Sequence, residues 1–491
     1  MKRSHQQLSL AVVVSLITFV QYLPVLRNGF VLWDDDRYVY NNIHIRSLDL
    51  AFLKWAFTDI SEHFWQPLAW FYHALDHALW GLDPLGHHLT SMLLHSVNAF
   101  LVVLLAVRLL EAAGRAGGSP VTGDRSVLIA AGSTGLLFGM HPLQVETVAW
   151  VTAKHDLLFT FFFLLSVLSY LAFSAGREIE TIKSGPKAAF FHKQYLLSFG
   201  LFVLSLASKP SAVVLPAVLL LLDWHPLRRV RSGKDFLFSL IEKLPYLIPG
   251  LIVSIGTVFA HQARGGMASL ESVPFVTRLL VSAKALLLYL WKMVYPFHLS
   301  PYYPYPKDAT SWSLEYASAV MLLFVITAAC VLVAKKRPAA LAVWLFFLLT
   351  LLPVLGIFKV RDVFMADRYM YLSGLGLFLP VGVLITRGWA RIGSAERLRE
   401  IVKPATVILM VTLFLMLAFL TVKQVAVWKD GITLWSRVIE AEPVRAPSAY
   451  VSRGWAFKEA GQTDRALEDF DRAIALDTAP PYLAYNNRGI I

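Results

Sequence analysis

The sequence predicts an all-α protein: a polytopic bundle of membrane helices followed by a short soluble helical tail. Three observations carry this. The 491 residues are 57% hydrophobic and only 16% charged, with a mean hydropathy of +0.57. A soluble domain carries about 25% charge and about 45–50% apolar residues, so there is too little charge here to cover a soluble surface. The apolar residues fall in runs near the roughly 20 residues that cross a bilayer core. From Trp428 the composition changes to that of a soluble helical segment. A lone cysteine, Cys330, excludes a disulfide framework and a Cys-based zinc site.

Eleven spans are expected, in the order Leu8–Leu26, His87–Leu109, Val127–Met140, Leu157–Ser174, Tyr195–Ala207, Ala212–Leu222, Leu244–Ala260, Ala317–Ala334, Ala339–Phe358, Tyr369–Ile385 and Pro404–Val422. The short ones borrow polar flanks or meet a thinned core. Leu8–Leu26 follows Lys2 and Arg3 without a small-residue cleavage site and reads as an uncleaved anchor. Phe275–Tyr295 is helical in pattern but carries Arg278, Lys284 and Lys292. A central Lys costs about 2.5–3.5 kcal/mol on insertion scales. This segment is therefore placed as an interfacial or re-entrant helix on the external face.

Charge sets the direction. Of the 45 Lys and Arg residues, 22 lie at the N-terminus and in 108–125, 176–193, 225–243, 335–337 and 387–403. These share one side if the eleven spans hold, and that side is cytoplasmic by the positive-inside rule. The loop Arg27–Gly86 has 8 acidic against 4 basic residues and falls outside. The net charge of +12 is thus mostly topology signal, and a nucleic-acid partner loses its support. Residues 1–426 form the membrane domain, and 427–491 form the tail, outside.

In the tail, Tyr450, Gly454, Phe457, Gly461, Ala466, Phe470 and Ala473 fall where a tetratricopeptide repeat needs small and aromatic residues. Arg453-Gly454 recurs as Arg488-Gly489. One repeat is full, and a second stops inside its first helix. Roughly three repeats are needed for independent stability, so the tail is truncated or leans on the membrane domain.

Function is sought in polar groups at the membrane. The turn Trp33-Asp34-Asp35-Asp36-Arg37 follows the first span. Three adjacent carboxylates repel, which raises at least one pKa and suits a general base; an acidic capping turn is the plainer reading. In the second span His88, Ser91, His95 and Asn98 share one helix face, which fits either a functional or a packing stripe. After the third span come His141-Pro142, Glu146 and Lys154-His155-Asp156; this is not the HExxH of a zincin. Lys209-Pro210 splits the fifth and sixth spans, and Lys359, Arg361, Asp362, Asp367, Arg368 and Tyr369 lie between the ninth and tenth. External arginines break the charge rule unless something such as a phosphate needs them.

The acidic turn, the HPxxxE motif at His141–Glu146, Ser208-Lys209-Pro210 and Ala366-Asp367-Arg368-Tyr369-Met370-Tyr371-Leu372, in this order and with a repeat tail, resemble the bacterial relatives of the transmembrane and tetratricopeptide-repeat O-mannosyltransferases. Those are membrane glycosyltransferases of the GT-C superfamily. The resemblance implies a GT-C-like helical bundle and transfer of a sugar from a polyprenyl-phosphate donor to a hydroxyl, with inversion, on the periplasmic face of a bacterial inner membrane. It implies Asp34 or Asp35 as catalytic base. Asp36, His88, His95, His141, Glu146, Lys154 and Asp156 would bind substrate, and Lys209, Arg361 and Arg368 would hold the donor phosphate. The tail would present an acceptor protein or glycan. No metal ligand set is implied, and a divalent metal stays open. Pro210 and Lys154-His155 stand where the animal members carry Glu and Gly-Arg.

Three rivals are kept. An O-antigen-ligase or polymerase-like enzyme would carry its large external loop late, whereas here it comes first. A transporter would place its charges at mid-bilayer. A non-catalytic membrane-anchored repeat protein needs no acidic turn.

Overall fold

The computed structural model describes residues 2–59, 65–117, 121, 123–176, 190–263, 273–306, 313–357, 363–394, 399–476 and 482–490. Arg361, with Lys359 and Asp362, lies outside the described residues. The helices run α1 Lys2–Gln21, α2 Leu50–Thr58, α3 Pro67–Trp80, α4 Pro84–Arg115, α5 Asp124–Met140, α6 Val145–Ala149, α7 Lys154–Gly176, α8 Lys193–Ser208, α9 Leu215–Trp224, α10 Gly233–Ala263, α11 Phe275–Val294, α12 Leu314–Val333, α13 Pro338–Leu351, α14 Met370–Ser394 and α15 Arg399–Val427. The tail adds α16 Gly431–Ala441, α17 Pro447–Glu459, α18 Thr463–Leu476 and α19 Tyr482–Gly489. A two-stranded antiparallel ribbon joins β1 Tyr303–Pro304 to β2 Val363–Met365. The chain is all-α in character, as the apolar runs predict.

Each of the eleven expected spans falls mainly on helix among the described residues. Among the described residues seven helices are long and apolar enough to cross a membrane. Counted as one span, the pair Asp124–Met140 and Pro142–Ala149, bent by 53°, gives an eighth. The sequence expectation of eleven exceeds this because Pro210–Trp224 and Pro338–Val354 are shorter apolar helices and α8 has 16 residues. α11 is not among the spanning helices. Its Lys284 meets Glu315 at the start of α12 (2.7 Å), and its Ser282 bonds the Leu355 carbonyl just after α13 (2.7 Å). It is thus tied to the start of α12 and to the segment just after α13. This is an integral membrane protein.

Close crossings set the core. At Gly382 of α14 a Cβ would lie 2.4 Å from the Ala130 carbonyl oxygen of α5, so only glycine fits there. Facing ends of α1, α4, α5, α7, α8, α9, α14 and α15 gather the loops that carry the candidate residues at one end. The other end holds a separate buried network: Asp223 pairs with Lys243 and with Arg229 (2.7 Å), and Arg229 reaches Glu242 (2.9 Å).

The tail leans on the membrane domain. Asp430 caps α16 by accepting from the Thr433 amide (2.7 Å). The Gly29 amide donates to the Lys429 carbonyl (2.8 Å), and the Trp435 indole to the Leu32 carbonyl (3.3 Å). The Trp435 ring sits 5.3 Å from Trp33. In the hairpin α17–α18 a Cβ at Gly454 would lie 2.7 Å from the Phe470 ring, so the repeat's small residue is what lets the two helices touch. Trp435→Ala should cost about 3–5 kcal/mol at this joint. The expected result is rapid limited proteolysis between α15 and α17 in the variant alone; equal resistance in both proteins would show the tail held by other contacts.

Candidate active site

The third membrane segment breaks at His141-Pro142, because proline cannot donate to the preceding turn. His141 fixes the break. Its Nδ1 accepts from the Leu143 amide (3.2 Å), and its Nε2 meets the Met293 carbonyl of α11 (3.0 Å). The break turns Glu146 inward. There the carboxylate accepts from the Arg368 backbone amide (2.9 Å) and pairs with the Arg368 guanidinium. Arg368 stands in the short turn Asp367–Tyr369 that opens α14, so the helix N-terminus also favours the anion. Its guanidinium lies over Trp150 (5.1 Å) and Tyr369 (4.9 Å), geometry for cation–π attraction.

A second ion pair lies beside the first. Lys209, in extended backbone between α8 and Pro210–Val214, reaches Asp156 at 2.5 Å and lies 5.7 Å from the Tyr369 ring. His155 Nε2 is 3.2 Å from the other Asp156 oxygen. Asp156, Lys209, Arg368, Tyr369 and Tyr371 line one pocket with Phe159, Val354 and Leu372. Two cations, one carboxylate, the hydroxyl side chains of Ser211, Thr350 and Ser373 and an apolar patch thus share a site at a membrane-helix end, with Glu146 behind Arg368. That arrangement suits a lipid-borne anion: the patch takes hydrocarbon, and the cations take phosphate oxygens.

The acidic turn is attached to the same structure. Trp33 stacks on Trp150 (4.9 Å) and accepts its indole N–H at the Trp33 carbonyl (2.8 Å). Trp150 therefore has the acidic turn on one neighbour and Arg368 on another. Asp35 is 1% exposed and fully engaged. One oxygen accepts from the Val31 amide (2.9 Å), the other from the Thr152 amide (2.9 Å) and hydroxyl (2.6 Å). Asp34 is half-buried in left-handed backbone (φ +66°), which is costly for a residue other than glycine. Asp36 opens the wide turn Asp36–Tyr40 and is half-buried.

Burial pushes the Asp35 carboxyl up to about 7, outweighing three hydrogen bonds that favour its charge. The folded chain then holds this proton more tightly than the unfolded one. Its contribution to stability is full below about pH 4 and is lost as the pH rises to about 7. Wild-type protein in detergent should lose thermal stability over that window relative to Asp35→Asn. Parallel stability-against-pH curves for the two would show an Asp35 that is ionised throughout.

The remaining candidates serve the frame around the pocket. His95 meets the Tyr371 hydroxyl (2.8 Å) and the Gly139 carbonyl (3.2 Å). Asn98 donates to the Leu157 carbonyl (3.0 Å) and to Tyr371 (3.2 Å). His88 reaches the Gly29 carbonyl (3.3 Å), just before the acidic turn. Lys154 points elsewhere: it pairs with Asp76 of α3 and reaches the His87 carbonyl (3.2 Å). Sequence reading missed Asp76 and gave no role to Trp150, Tyr369 or Tyr371. Tyr369 and Tyr371 lie within the motif around Arg368 and could have been read from it. Among the described residues no three His, Cys, Asp or Glu side chains are grouped to hold a metal ion.

No protein-family model matches the chain. A protein O-mannosyl-transferase of Caenorhabditis elegans is 23% identical over 489 residues, 97% of this chain and 64% of the relative. The Drosophila melanogaster protein O-mannosyl-transferases Tmtc1 and Tmtc2 are 32% identical over 183 residues and 34% over 171. Those matches cover 36% and 33% of this chain, and 19% and 16% of the relatives. The chain thus spans less than two thirds of the length of each. Its homologues are protein O-mannosyltransferases, at modest identity, as the motifs suggest.

Proposed function

We propose that this chain is an integral-membrane glycosyltransferase that moves a sugar, mannose by analogy with its relatives, from a polyprenyl-phosphate donor to a protein Ser or Thr hydroxyl. The observation that carries the reading is the pocket lined by Lys209, Asp156 and Arg368, with Glu146 holding Arg368 from behind and Trp150 joining Arg368 to the acidic turn.

In this reading Lys209 and Arg368 hold the donor phosphate. Asp156 and Glu146 keep the two cations aimed, and the donor's lipid lies along the apolar patch. The acceptor oxygen attacks the anomeric carbon from the face opposite the phosphate. The carbon–oxygen bond to phosphate breaks, the electron pair leaves with the phosphate, and the configuration inverts. Charge growing on the phosphate is stabilised by the two cations. Asp34 takes the acceptor proton. Asp35 is a positioning residue: its three hydrogen bonds tie the turn to the segment Val151–Ala153.

The tail packs against this turn, which supports a role in bringing an acceptor to it. The N-terminus is assigned to the cytoplasm of a bacterial cell, and the acidic turn and the tail to the periplasmic face of its inner membrane. The test is transfer in proteoliposomes, from radiolabelled polyprenyl-phosphate mannose to a Ser/Thr-rich peptide. Label on the peptide that requires the protein is the expected result. No label with any polyprenyl-phosphate hexose would overturn the reading.

A further inference from the structure

A second pocket opens beside the acidic turn, apart from the cation site. Its volume is about 340 Å³, and Arg37, Asn41, Asn42, His44, Trp55 and Trp70 line it. This is the low end of the roughly 300–1,000 Å³ range of small-ligand sites. The lining is mostly polar and aromatic. Ile43 is its one aliphatic residue and Asp59 its one carboxylate; the rest pairs amides, an imidazole and a guanidinium with indoles.

That pairing has a chemical counterpart. A sugar ring has an apolar face of C–H bonds and a rim of hydroxyls. Its natural site is an aromatic plate flanked by amides and a guanidinium, which supply several donors and acceptors in fixed planes. Trp55 is held as such a plate: His44 stacks on it (4.5 Å, 12°), and Trp70 abuts it (5.1 Å). A plate fixed in advance loses little freedom on binding. Trp70 is 1% exposed, and its indole N–H is buried without an acceptor among the described residues. Arg37 comes three residues after Asp34, and the Tyr38 ring lies 4.7 Å from Trp70, so the pocket wall is a continuation of the acidic turn.

We infer that this pocket is a saccharide subsite that holds a sugar already carried by the acceptor, which makes the favoured acceptor a glycosylated one. The word acceptor rests on the function proposed above; the saccharide chemistry does not. The test is binding without donor, on the full-length protein in detergent. Isothermal titration compares a Thr-containing peptide with the same peptide bearing mannose, glucose, galactose or N-acetylglucosamine. At least one glycopeptide should bind about tenfold tighter than the bare peptide. Asn41→Ala and Trp55→Ala should each erase that preference; Asn41 is exposed, so its variant keeps the fold. Asp34→Asn should retain the preference even where transfer is lost, which separates this inference from the assignment of the base. Equal affinity for all five peptides, or a preference that survives both pocket substitutions, would overturn it.

Discussion

Asp34→Asn is expected to lower sugar transfer by about 10²–10⁴-fold, the usual contribution of a positioned general base, with no loss of thermal stability. The two adjacent carboxylates are separated by their surroundings. Asp35 is consumed by three protein hydrogen bonds, so little of it is left for a substrate. Asp34 sits half-buried at the strained apex of the turn (φ +66°). Asparagine tolerates that backbone region, so the substitution changes the charge and keeps the turn. Asp35→Asn should act differently. Its amide nitrogen would face N–H donors, leaving them unpaired, and stability and transfer should fall together. Transfer rate and unfolding midpoint, measured on both variants, decide the matter. A stable, inactive Asp35→Asn beside a fully active Asp34→Asn would move the base to Asp35.

The second large effect is expected at Arg368. Arg368→Met leaves Glu146 as an unpaired buried carboxylate, which costs about 3–5 kcal/mol. Transfer should fall by about 10²–10³-fold through lost stabilisation of the leaving phosphate. The two causes can be separated. The double variant Glu146→Gln/Arg368→Met removes the orphan charge and should recover much of the stability while remaining inactive. Arg368→Lys keeps the charge but cannot serve the Glu146 carboxylate and stack between Trp150 and Tyr369 as a planar group does, so it too should transfer poorly. If the double variant regains both stability and transfer, Arg368 is a structural partner of Glu146 and does not hold phosphate.

Much of this was legible in the residues. Apolar runs located the helices, because a bilayer allows few other solutions. Glu146, Asp156, Lys209 and Arg368 stood out as charges at span ends, and the fold brings these four together. What was not legible depends on geometry that sequence spacing does not carry. Asp34 and Asp35 are alike as letters; a backbone dihedral and a hydroxyl from Thr152 distinguish them. Lys154 reads as a neighbour of Asp156. At about 100° per helical residue, however, the two point to nearly opposite sides of α7. Lys154 then finds its partner in Asp76, far away in the chain, which no local pattern reveals. The His88–Asn98 stripe was visible, but whether it bound substrate or held helices was not. Its contacts with Gly139, Leu157 and Tyr371 tie α4 to the wall of the cation pocket. The span count shows the limit of hydropathy alone: α8, α9 and α13 are apolar but shorter than the roughly 20 residues of a full crossing.

The central claim is that the cation pocket and the acidic turn are two halves of one active centre acting on a lipid-linked sugar. The most direct measurement is a cryo-electron-microscopy structure of Asp34→Asn in lipid nanodiscs with polyprenyl-phosphate mannose. The account predicts phosphate oxygens within about 3 Å of Lys209 Nζ and the Arg368 guanidinium, with the anomeric carbon facing residue 34. A phosphate seated instead at the Asp223–Arg229–Lys243 network, at the other end of the bundle, would contradict it.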